Sequence, residues 1–148
     1  MKLKALLIAL LFLSFNESIS QEKAENLEKI KVEKVIKGYI ENFFINDYAK
    51  MEVFLHERLA KRGVNSDGKL SPDYSKLDLK ELMSSKRAFP LKHQWNKVRD
   101  IKINNRVATA ILETGYPKTR WIEYVHLVKL NSKWVILDVV WCFNKILN

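Results

Sequence analysis

Residues Tyr124 to Trp141 read YVHLVKLNSKWVILDVVW, two runs rich in β-branched and aromatic side chains that alternate with period two around Asn131-Ser132. That pattern predicts an antiparallel hairpin in which Leu130 opposes Lys133. Carried outward at constant register, the pairing sets Ile122, Tyr124, His126 and Val128 on one face against Trp141, Val139, Leu137 and Val135. Glu123, Val125, Leu127 and Lys129 share the other face with Val140, Asp138, Ile136 and Trp134. Three charges assign this second face to the outside or to a subunit contact, with Trp134 and Ile136 as its apolar anchors. The first face, apolar apart from one hydroxyl and one imidazole, is expected to look inward. A slip of one residue would reverse all of these assignments.

The same period extends upstream. Val98 to Ile103 and Val107 to Leu112 alternate around Asn104-Asn105, and Leu59 to Val64, followed by Ser66-Asp67-Gly68, reads as a short strand and a turn. Before them the spacing is helical. Val32, Val35, Ile36, Tyr39, Ile40 and Phe43 draw one stripe on a helix from Leu27 to Phe44, with Gly38 on the opposite side. Asp47 is placed to cap a shorter helix carrying Tyr48, Met51, Phe54 and Leu55. Asp78 with Glu81 three residues on predicts a third helix from Leu79 to about Lys86. Helices gathered ahead of a meander of strands predict an α+β domain, with about three N-terminal helices packed on an antiparallel sheet.

The 148 residues include sixteen aromatics but only four Gly and three Pro, a balance that fits one folded domain and excludes a disordered or linker-rich chain. Lys2 and Lys4, the apolar run Ala5 to Leu13 and the polar stretch Asn16 to Ser20 form the three parts of a secretory signal peptide. The expectation is therefore a leader at 1–20, cleavage before Gln21, and a mature domain at 21–148 that is periplasmic or extracellular without a membrane span. Cys142, the sole cysteine, excludes an intrachain disulfide, and its neighbours Trp141 and Phe143 predict burial. Removing Lys2, Lys4 and Glu17 changes 26 basic and 17 acidic residues to 24 and 16, a net charge of +8. Residues 58–106 carry thirteen basic and five acidic groups, so the middle of the chain holds the excess. Such a field favours an anionic ligand or an anionic envelope surface. No long basic run or binding motif supports specific nucleic-acid recognition.

The order of these elements resembles the nuclear transport factor 2-like superfamily. The segments that carry the likeness are Tyr39 to Gly63 (YIENFFINDYAKMEVFLHERLAKRG), Asn105 to Ala110 (NRVATA) and Tyr124 to Trp141. Within that superfamily the chain is similar to the exported bacterial group labelled as lumazine-binding. The resemblance implies a cone-shaped fold in which a curved sheet, closed by helices, holds a small apolar or aromatic molecule. Asp47, His56, Lys61, Arg62, Gly63, Tyr124, His126, Trp134 and Trp141 match positions of that family. Asn46 replaces the usual Gly before the Asp, Glu57 a Pro, and Glu123 an Asp.

The ligand contacts expected from this reading are Tyr124, His126, Trp141, His56 and Tyr39. The chain is read as a binder of an apolar or aromatic molecule that can carry an anionic group, with no cofactor. In the enzymatic alternative, of the isomerase, dehydratase or cyclase kind, His126 takes the proton and Tyr124 steadies the oxyanion. A third reading is a non-catalytic interaction module, and a homodimer through Trp134 and Ile136 is expected in either case. Alternation sends one of Lys61 and Arg62 inward. His56, His93 and His126 lack ligand spacing, so no metal site is expected. No GxSxG, HExxH or Gly-rich phosphate loop supports hydrolase, metalloprotease or kinase chemistry.

Overall fold

The computed structural model describes the backbone of residues 2–144 and the side chains of residues 21–144. The expected leader, 1–20, lies outside the residues whose side chains are described. Helix α1 runs Lys2–Phe44, α2 Tyr48–Met51 with a 3-10 turn at Glu52–Phe54, and α3 Lys76–Ser85. The strands are β1 Leu55–Val64, β2 Trp95–Asn104, β3 Val107–Tyr116, β4 Thr119–Leu130 and β5 Lys133–Asn144. They form one sheet in the order β1-β5-β4-β3-β2. All neighbours are antiparallel except β1, which lies parallel to β5 and makes the sheet mixed. Among the described residues no helix is long and apolar enough to cross a bilayer.

The core joins the α1 stripe Val32, Ile36, Tyr39, Ile40 and Phe43 to the inner sheet face. Gly38 belongs to this packing rather than to the far side of the helix. A Cβ there would strike the ring of Phe54, so the missing side chain lets the 3-10 turn close on α1. Asn46 has a φ of 61°, a left-handed conformation that Asn tolerates better than most residues. It reverses the chain so that Asp47 can accept from Lys50 N and cap α2. The third helix begins earlier than its sequence suggested: Ser75 caps it and Asp78 is the third-position partner of a reciprocal capping box.

The β4–β5 hairpin turns on Asn131 and Ser132, with φ of 46° and 66°, and opens with Leu130 opposite Lys133. Register holds through Leu127 opposite Ile136 and then shifts, so that His126 opposes Asp138 and Glu123 opposes Trp141. Leu137 is the extra residue of a β-bulge. The inner face therefore carries Glu123, Val125 and Leu127 with Trp134, Ile136, Val139 and Trp141. This corrects the faces assigned from constant register. Trp134 is 4% exposed and Ile136 is fully buried, so neither is available as an outer dimer anchor. Tyr124 is 51% exposed on the outer face. Cys142 also stands exposed rather than buried, because it shares that face.

Candidate functional site

A cavity of about 540 Å³ lies between the end of α1, the segment after α3 and the inner sheet face. Its aromatic walls are Phe43 and Phe44 from α1, Tyr74 before α3 and Phe89 after it, Tyr116 from β3, Trp121 from β4 and Trp141 from β5. Phe89 stacks on Tyr116 with ring centroids 3.9 Å apart and planes within 3°. Tyr116 and Trp121 meet edge to face at 5.4 Å. These contacts follow from the sheet period, since Thr114 and Tyr116 descend from β3 beside Trp121 and Glu123 of β4.

The polar wall is a buried triad. The Lys61 ammonium donates to Glu123 Oε1 and to Tyr39 Oη, each at 2.5 Å, and Tyr39 Oη donates to Glu123 Oε2 at 3.1 Å. Tyr39 is fully buried, Lys61 and Glu123 nearly so. Burial pulls the Lys61 pKa down, against the opposing pull of Glu123, and burial followed by the Glu123 charge pushes the Tyr39 phenol well above its ordinary range. Each member satisfies the others, which is what makes two charges tolerable in the core. Beside them Thr114 Oγ1 donates to Asn96 Oδ1 at 2.6 Å.

Gly63 has a steric reason to be glycine. Paired with Trp141 across β1 and β5, it leaves the space that the Trp141 indole fills, and a Cβ would run into that ring and the Trp141 carbonyl. The Trp141 indole N–H is buried without a hydrogen bond, the one such side-chain atom among the described residues.

The mouth carries the remaining charge. Lys86 Nζ sits 4.6 Å from the Phe43 ring centroid, and the Arg87 guanidinium 5.8 Å from that of Phe89. The segment bearing them is tied to the end of α1, with Phe89 N donating to Phe44 O at 2.7 Å and Asn46 Nδ2 to Lys86 O at 2.6 Å. Partial burial against the rings, then repulsion from Lys61, holds the Lys86 ammonium below the usual lysine range.

Of the residues expected at the site, Trp141 and Tyr39 are at or beside the cavity and Tyr124, His126 and His56 are not. Tyr124 and His126 project from the outer face, where His126 Nδ1 lies 3.4 Å from Asp138 Oδ2. An acid–base pair of His126 and Tyr124 inside the cavity is thereby corrected. His56 lies in the irregular start of β1 and accepts from Arg58 N at 3.1 Å. Of the basic pair, Lys61 turns inward and Arg62 outward to Asp73 and Asp138. Sequence reasoning missed Glu123, Lys86, Arg87, Phe89 and Tyr116 as site residues. Constant register places Glu123 on the outer face, and β5 lies between its strand and the lysine-bearing β1, so no local pattern joins the two. Among the described residues no group of three or more His, Cys, Asp or Glu could hold a metal.

A family model described as "Putative lumazine-binding" matches residues 27–142. No curated protein matches the chain. Solved structures with a similar fold include a nuclear transport factor 2-like protein of unknown function from Shewanella baltica, 19% identical, covering 80% of this chain and 94% of that one at a TM-score of 0.70. One of the same description from Silicibacter pomeroyi is 12% identical, covering 81% and 98% at 0.72. A third, from Methylobacillus flagellatus, is 22% identical, covering 79% and 92% at 0.67.

Proposed function

The chain belongs to the family described as "Putative lumazine-binding", and from that premise we propose that it binds a small apolar or aromatic molecule in the cavity between α1 and the sheet. The observation that carries this reading is the cavity itself: about 540 Å³, walled by seven aromatic side chains together with Ile40 and Leu82. That volume suits a bicyclic or tricyclic ring system, and such a lining is the usual make-up of a small-molecule site. Trp121 and Trp141 stand in the wall, so occupancy should change their emission. Titration with lumazine and with neutral 2-naphthamide, followed by tryptophan fluorescence and calorimetry, tests it. Saturable binding of either supports the reading, and no binding of either, nor of 2-naphthoate, at millimolar concentration overturns it.

The leader supports export, with cleavage before Gln21. N-terminal sequencing of protein from the cell envelope tests that, and uncleaved protein in the cytosol would refute it. A homodimer remains part of the proposal on different residues from Trp134 and Ile136. Tyr124 and Val140, paired across β4 and β5, are 51% and 40% exposed on the outer face, with Cys142 beyond them. An exposed apolar face of this kind suits a second copy of the same sheet.

A further inference from the structure

Four charged side chains line the cavity, and they do not balance. Lys61 is matched by Glu123, and the pair shares its remaining hydrogen bonds with Tyr39. Lys86 and Arg87 make no ion pair among the described residues, yet both sit at the mouth over rings of the cavity wall. Lining the site with three cations and one carboxylate leaves two uncompensated positive charges, both at the entrance. The rest of the lining is mostly aromatic and aliphatic, and Lys61, Glu123, Thr114, Asn46 and Asn65 are its other polar members.

We propose that the ligand is an aromatic anion, its ring inserted among Phe44, Phe89, Tyr116 and Trp121 and its carboxylate or equivalent group held at the mouth by Lys86 and Arg87. The inference rests on the reading of the cavity as a ligand site and adds the charge and orientation of what enters. A neutral ligand would leave the two cations with only rings and water as partners. An anion at the mouth accepts charge-assisted hydrogen bonds from both while remaining partly hydrated, which avoids the cost of burying it. The opposite orientation, with the anion against the floor, would place it beside the Lys61–Glu123 pair, whose charges already match each other, and would leave Lys86 and Arg87 without a counterion. The hydrogen bonds from Phe89 N to Phe44 O and from Asn46 Nδ2 to Lys86 O fix the segment that bears the cations, so less ordering is required on binding.

The test compares two probes of the same shape, 2-naphthoate and 2-naphthamide, by calorimetry at low and high salt on the protein and on the Lys86→Gln/Arg87→Gln variant. Both substituted residues are exposed, and circular dichroism checks that the fold is kept. The expected result is naphthoate binding roughly ten-fold or more tightly than the amide, as charged hydrogen bonds allow. That preference should shrink at 0.5 M salt, a concentration of about the order that screens exposed charges, and disappear in the variant, the two probes then binding alike. Equal affinities would overturn the charge assignment and leave the cavity reading standing. A naphthoate preference that survives in the variant would overturn the placement at the mouth. Failure of both probes, and of lumazine, would remove the cavity reading and this inference with it.

Discussion

Glu123 stands directly opposite Trp141 in the β4–β5 ladder, and the pair faces the cavity. The pairing puts a carboxylate and an indole side by side on the inner sheet face, where Lys61 from β1 reaches the carboxylate and Gly63 makes room for the indole. A charged group, its counterion and an aromatic wall are thus assembled by three strands at one place.

Removing one member of the buried pair should be costly. In Lys61→Met the Glu123 carboxylate keeps only the Tyr39 hydroxyl, and the expected loss is about 3–5 kcal/mol of unfolding free energy. Replacing both, as Lys61→Met/Glu123→Leu, should recover most of that loss. Urea denaturation of the three variants measures it, and a double variant no more stable than Lys61→Met would contradict the account.

Gly63→Ala should destabilise the protein by about 1–3 kcal/mol, because the added methyl must displace the Trp141 indole or spread β1 from β5. The same substitution should shift tryptophan emission and weaken binding of 2-naphthamide. Unchanged stability and emission would show that the indole does not rest on Gly63.

Acid should weaken the attachment of α1 to the hairpin. Glu28 accepts from Lys129 Nζ at 2.6 Å and from Trp134 Nε1 at 2.8 Å, and Lys129 and Lys31 hold its pKa down at about 2. A carboxylate lowered on folding contributes stability above its ordinary pKa of 4.5, and that contribution is lost as pH falls toward about 2. Glu28→Gln should cost about 1–2 kcal/mol at pH 7, and the difference from the unsubstituted protein should shrink steadily between pH 4.5 and 2. A constant difference across that range would refute the assignment.

The outer face should be separable from the cavity. Tyr124→Ser and His126→Gln leave the aromatic walls untouched, so affinity for 2-naphthamide should stay within about two-fold, a change of less than 0.5 kcal/mol. Tyr124→Asp with Val140→Asp should instead shift the oligomer seen by light scattering toward monomer. Loss of binding in His126→Gln would return that residue to the site.

Phe89→Ala removes the ring that stacks on Tyr116 and closes one wall of the cavity. Binding of an aromatic probe should weaken by roughly five- to ten-fold, about 1 kcal/mol or slightly more. Calorimetry at matched stability is the measurement, and unaltered affinity would move the ligand away from this wall.

The sequence determined the α+β class, the α1 stripe, the two-residue turn at Asn131-Ser132 and the approximate extent of β2 to β5, because each depends on local spacing or on one residue's backbone preference, but it reads Leu55 as helical and starts β1 at Leu59, four residues late. It also required that only one of Lys61 and Arg62 turn inward. Tertiary structure decided which face of the hairpin is inside. Constant alternation groups Trp134 with Ile136 and Asp138, or Trp141 with Val139 and Leu137, but never all four large inner residues together. The bulge at Leu137 does so, placing Trp134, Ile136, Val139 and Trp141 inward and Asp138 outward. Its advantage is burial of apolar area across the whole sheet, a sum over α1, β1, β3 and β4 that no window of β5 contains. The partnership of Lys61 with Glu123 has the same origin: 62 residues separate them, and only the parallel docking of β1 on β5 brings the ammonium to the carboxylate.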